Sequence, residues 1–115
     1  MSNADFLEIA EATLKNIANA IEEADSSFDL EVDATGDSLN IEFADGSKYL
    51  INIHSGSEEI WVSSPLTGGS HFAYDENDGT WKDSDENDLL ELITEELEDL
   101  GGVSIRLYYP ISGFL

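Results

Sequence analysis

The apolar residues of this 115-residue chain change their period twice, and that change limits the possible fold more than any other feature. From Asp5 to about Ala24, the residues Leu7, Ala10, Leu14, Ile17, Ala18 and Ile21 recur at spacings of three and four, the stripe of an amphipathic helix. Glu8, Glu11, Lys15, Asn19 and Glu22 fall on its outer side. The pair Ser26-Ser27 breaks the pattern. Phe28, Leu30, Val32 and Ala34 then alternate with Asp29, Glu31 and Asp33. A period of two is that of a strand with one wet face, so these carboxylates point outward together.

The alternation continues. After "ATGD" a second strand turns Leu39, Ile41 and Phe43 inward, and Asp45-Gly46 predicts a tight hairpin into "KYLINI". "EEIWVSSP" reads as a fourth strand ended by Pro65, "SHFAYD" as a fifth, and "GTWKD" as a short sixth after the Asn77-Asp78-Gly79 turn. The helical period returns at "DSDEND", where Ser84 or Asp85 is expected to cap the first free N–H groups. It runs through Leu89, Leu90, Leu92, Ile93, Leu97 and Leu100 to Gly101-Gly102. An apolar tail, "VSIRLYYPISGFL", follows. The expected fold class is α+β, a two-layer α-β sandwich in which N- and C-terminal helices pack on one face of an antiparallel sheet of about six strands. Residues 1–115 are expected to form a single domain, because neither a repeat nor a linker divides them.

The charge decides which partners are excluded. With 26 acidic residues against four basic ones, the formal charge is −22. Such a surface repels nucleic acid and anionic membrane and attracts metal cations or basic protein patches. The chain has no cysteine, which excludes disulfides, thiol nucleophiles and thiolate metal sites. An acidic beginning and no long apolar run predict a cytoplasmic protein.

Period two also assigns faces. Ile60 and Val62 share one side of the fourth strand, and Glu59, Trp61 and Ser63 share the other. If the aliphatic pair meets the helices, Trp61 faces water beside Asn52 and His54, as an anchor for a partner protein or as a cross-strand shield for the sheet. Trp81 is assigned to the core.

The element order, "DGSKYLINIHSGSEEIWVSSPLTGGSHFAYD" and the Leu-rich helix that follows together resemble the frataxin family, including the bacterial CyaY proteins, over nearly the whole chain. The most specific motif runs from Asn52 through Ile60-Trp61-Val62-Ser63-Ser64-Pro65 to Gly68-Gly69. The resemblance implies weak binding of ferrous or ferric iron, with other divalent cations admitted, at an acidic ridge of Glu8, Glu11, Glu22, Glu23, Asp25, Asp29, Glu31 and Asp33. It implies docking through Asn52 and Trp61 on the cysteine desulfurase and iron-sulfur scaffold protein. The implied function is that of an iron donor or chaperone and desulfurase regulator in iron-sulfur cluster assembly, a monomer with iron-driven oligomers admitted. A docking regulator with incidental metal, and an iron-oxidising or storage protein, are the alternatives. This chain departs from its relatives at Ile53, His54 and His71, where some carry basic or amide groups, and in its longer apolar tail, expected to cover the groove between the helices.

Carboxylate oxygens are hard ligands suited to iron, manganese, calcium or magnesium. Glu8 and Glu11 lie one helical turn apart, and the strand acids repeat on one face, so a cation shared between helix and strand is expected, in a shallow and wet site. The frame that places Gly36 at the sixth position of an EF-hand falls in a hairpin rather than between helices. With no P-loop and no Gly-x-Ser-x-Gly, and no histidine base near Ser63-Ser64 in sequence, a non-enzymatic protein is expected.

Overall fold

A computed structural model describes residues 3–24, 30–101 and 105. The elements follow the expected order: α1 (Asn3–Ala24), β1 (Glu31–Ala34), β2 (Ser38–Glu42), β3 (Lys48–His54), β4 (Glu59–Ser64), β5 (Gly68–Asp75), β6 (Thr80–Lys82) and α2 (Leu89–Gly101). The six strands lie in sequence order, each antiparallel to its neighbour. Short turns make this meander, and Gly46 closes the β2–β3 turn at a φ of 91°, a left-handed conformation that a glycine adopts without strain.

One sheet face supplies Leu39, Ile41, Tyr49, Ile51, Ile60, Val62, Phe72 and Trp81 to the core. Phe6, Ala10, Leu14, Ile17 and Ile21 of α1 and Leu89, Leu90, Ile93 and Leu97 of α2 are buried in the same cluster. Each large side chain removed from water contributes roughly 1.5–3 kcal/mol, so the alternation of β2–β4 and the two helical stripes have one common solution. Trp81, fully buried, holds α1 against β6. Its ring meets Phe6 and Tyr74 edge-on at centroid distances of 5.8 and 5.2 Å. Its Nε1–H donates to Thr13 Oγ1 at 3.1 Å, and Thr13 in turn donates to the Ile9 carbonyl at 2.8 Å.

Several details differ from the sequence reading. The buried stripe of α1 opens at Phe6 rather than Leu7, which is half-buried one position around the helix. Ala34, expected inside, is exposed because β1 is an edge strand that ends in a turn. The cap of α2 is Asp88, not Ser84 or Asp85: its Oδ1 accepts the N–H groups of Leu90 and Glu91 at 2.9 and 3.1 Å. Residues 83–87 cannot begin the helix, because Glu86 has a φ of 67° and Asp83 Oδ1 gathers the N–H groups of Asp85 and Asn87 into a turn. Ile105 of the tail is buried in the core. Phe28 and the rest of the tail lie outside the described residues, and with them the expected cover over the helix groove. No described helix is long and apolar enough to cross a membrane.

Candidate metal and docking surfaces

The acidic surface follows from the outer sides of α1 and β1. Glu8, Glu11, Glu22, Glu23, Glu31 and Asp33 are all exposed; Asp25 and Asp29 lie outside the described residues. Glu11 and Glu22, with Lys15 and Asn19, line one side of a groove of about 340 Å³ over Leu14, Ala18 and Leu39, opposite Ala34, Thr35, Gly36 and Ser38. Glu8 belongs elsewhere, in a depression of about 400 Å³ with Asp5, Ile9, Tyr74 and Glu76. Fourteen residues of helix, about 21 Å, separate Glu8 from Glu22.

The strand carboxylates take the opposite layer. Asp33 pairs with Asn40, and Asn40 with Leu50, all on the face turned away from the helices. The acids of helix and strand therefore wrap the β1 edge from two sides instead of closing on one point. Among the described residues no three His, Asp or Glu side chains converge to hold a metal ion. The expected cation shared between helix and strand is not built from the described side chains. What they offer is an open field of hard oxygen ligands.

The outer face of the sheet has a different character. Antiparallel register sets Asn52 of β3 beside Trp61 of β4, and Trp61 beside His71 of β5. Trp61, 37% exposed, is sandwiched between His54 and His71, with ring centroids 4.3 and 4.2 Å away and both interplanar angles 5°. His54 Nδ1 is hydrogen-bonded to Ser57 Oγ at 2.8 Å. Glu59 Oε1 accepts Trp61 Nε1–H at 3.2 Å and lies 3.9 Å from His71 Nδ1. Around this ridge the face carries Asn40, Leu50, Ser63 and Gly69 beside the carboxylate of Glu59, with Glu31, Asp33 and Glu42 toward the β1 edge. Asn52 and Trp61, expected to act together, are neighbours.

The sequence reading named His71 only as a departure from the relatives and did not bring it against Trp61. The signal lies in the Pro65-Leu66-Thr67 turn: a three-residue connection from Ser64 to Gly68 aligns position 61 with position 71. It also missed Glu96, which is 5% exposed, accepts Tyr49 Oη–H at 2.8 Å, and takes a second hydrogen bond from Thr67 Oγ1 at 3.0 Å. Burial, the Glu96 hydrogen bond and the Glu96 charge together push the Tyr49 phenol well above its ordinary range. Ser64 Oγ accepts the N–H groups of Leu66 and Thr67, so both ends of the β4–β5 turn are fixed and Leu66 stands half-exposed within it. At the other rim Lys82 binds Asp78 and reaches Asp75 at 3.6 Å; the Asp78 hydrogen bond, against some desolvation, raises its pKa.

Fold and surfaces together define a class: a two-layer α-β sandwich with an open carboxylate flank and an aromatic ridge across the outer face of the sheet. A family model described as frataxin-like domain matches residues 1–103. The iron-sulfur cluster assembly protein CyaY of Dechloromonas aromatica (strain RCB) is 38% identical over 108 residues, which cover 93% of this chain and 99% of that protein. Among solved structures, a frataxin from Psychromonas ingrahamii shares the fold with a TM-score of 0.80 at 24% identity, over 91% of this chain and 96% of that one. A trimeric yeast frataxin complexed with ferrous iron matches with a TM-score of 0.57 at 23% identity, over 87% and 85%. The chain belongs to the frataxin family, of the bacterial CyaY type.

Proposed function

We propose that this protein serves iron-sulfur cluster assembly as a non-enzymatic, cytoplasmic docking module that carries iron weakly and regulates the cysteine desulfurase and scaffold complex. The observation that carries the reading is the placement of Trp61, exposed and in register with Asn52, on the sheet face turned away from the helices. Trp is enriched among interface residues that dominate binding, and its large apolar ring is desolvated at little electrostatic cost. The family relationship supports the pathway, since the Dechloromonas relative is named for it. The carboxylates of α1 and the β1 edge supply the second contact, steering a basic partner surface and holding ferrous iron through oxygen ligands and water.

Because no described trio of side chains encloses a metal, iron held at the ridge exchanges readily. The same fact favours the alternative of a docking regulator with incidental metal. Desulfurase turnover on the scaffold, measured anaerobically with and without ferrous iron, separates the two. With Trp61→Ala the effect on turnover disappears in both conditions. With Glu22→Lys/Glu23→Lys an iron carrier loses the iron-dependent part first, whereas a pure regulator weakens equally with and without iron. An unchanged effect with Trp61→Ala defeats the docking reading. Ferrous iron disappearing faster with protein than in buffer defeats the non-enzymatic one.

A further inference from the structure

Away from the acidic flank, two ligating atoms do approach each other. His71 Nδ1 and Glu59 Oε1 approach to 3.9 Å on adjacent strands. That is too far for a hydrogen bond and close to what a shared ion needs. Bonds of about 2.1 Å to nitrogen and oxygen set the two donor atoms about 3.4 Å apart at a tetrahedral angle, so a carboxylate shift of about half an ångström closes the gap. Gly69, paired with Ser63, and Ala73, the register partner of Glu59, leave room for a hydrated ion. Both ligands line a depression of about 450 Å³ with Gly69, Ala73 and Asp83. Lys82, the one lysine or arginine among its described lining residues, has its ammonium held by Asp75 and Asp78. The Glu59 carboxylate is also held in place, by the Trp61 Nε1–H that it accepts.

The geometry points to a second metal site, His71 Nδ1 with Glu59 and water, selective for divalent ions that favour imidazole and distinct from the oxygen-only flank. This goes beyond the proposed function and does not depend on it. The chemistry separates the two surfaces: carboxylates alone suit magnesium, calcium and manganese, while one imidazole shifts preference toward cobalt, nickel, copper and zinc. Ferrous iron stands low in that order and is not the ion to use as a probe. Because the imidazole must be neutral to bind, affinity falls as the solution is acidified.

The test is a nickel(II) titration of the isotope-labelled full chain in excess magnesium, which occupies the oxygen-only ligands, followed by NMR. Nickel is paramagnetic, so the expected result is early broadening of the His71 ring, the Trp61 indole N–H and the Glu59 amide, with quenching of Trp61 but not of buried Trp81 fluorescence. His71→Ala is expected to lower nickel affinity about tenfold or more and Glu59→Gln to lower it less, as for ligand and supporting positions elsewhere. His54→Ala, which removes the other face of the stack but no atom of the proposed pair, is expected to leave affinity within about twofold. Broadening that follows His54, or that survives His71→Ala at unchanged affinity, overturns the proposal. So does broadening confined to α1 and β1. His71 is exposed and Glu59 half-buried, outside the core, and dispersed amide spectra establish that each variant is folded. Desulfurase regulation through Trp61 stands or falls in its own assay, so failure here and failure of the docking reading are distinguishable.

Discussion

Replacing Tyr49 by phenylalanine removes one oxygen from the buried contact between β3 and α2, and its cost depends on pH in a defined way. At neutral pH the variant loses the 2.8 Å hydrogen bond to Glu96, while Thr67 still donates to that carboxylate. A buried hydrogen bond to a charged acceptor contributes about 1.5–3 kcal/mol, and at about 4 °C per kcal/mol for a chain of this length the melting point falls by roughly 6–12 °C. Alkali narrows the difference. The Tyr49 pKa is raised in the folded protein by burial first and by Glu96 second. Its stabilising contribution is therefore complete below the unfolded phenol's value of about 10 and declines as pH rises above it. Above that value the unfolded chain gives up a proton that the folded chain keeps, which costs the wild type about 1.4 kcal/mol by about pH 11. The phenylalanine side chain of the variant has no such proton. Urea denaturation followed by the fluorescence of buried Trp81 at about pH 7 and about pH 11 measures the effect. A gap between wild type and variant that stays constant across those two pH values refutes the reasoning.

Asp88→Ala is expected to destabilise by about 1 kcal/mol, seen in urea melts, because it strips the acceptor from two N–H groups at the start of α2. Trp81→Phe, followed in urea by circular dichroism, is expected to cost about 2–4 kcal/mol through the lost Thr13 hydrogen bond and a cavity between α1 and β6. Raising sodium chloride from about 0.02 to about 0.5 M is expected to raise the melting point, because it shortens the reach of repulsion on a surface of net charge −22. Asp83→Asn is expected to flatten the acid limb of the stability curve. Burial raises the Asp83 pKa, and hydrogen bonds from the Asn87 side chain and from the backbone of Asn87 and Asp85 outweigh it. Its folded value is lower, so its contribution is present above the unfolded carboxylate range and is lost as pH falls through the folded one.

The alternation in β2, β3 and β4 was legible because each strand has one dry face and one wet face, and the same parity placed Trp61 outside. Asp45-Gly46 was legible because few dipeptides fit that turn. Asp88 was harder to single out, since Asp83, Ser84, Asp85, Asn87 and Asp88 are all chemically suited to cap a helix. The left-handed backbone at Glu86 and the turn closed by Asp83 Oδ1 decide among them. Of the ridge, the exposure of six carboxylates was legible, but their separation into two layers around the β1 edge was not.

Local periodicity determined what depends on local chemistry: two amphipathic helices and a meander of hairpins. The tertiary structure alone decided which distant side chains meet. Glu96 looks like any other acid in a Glu-rich helix until Tyr49, 47 residues earlier, is packed against it. His71 acquires its meaning when three strands align and bring two imidazoles against one indole. A period repeats every two or four residues and can be read along the chain, whereas a contact across strands depends on the register that turns and core packing impose together.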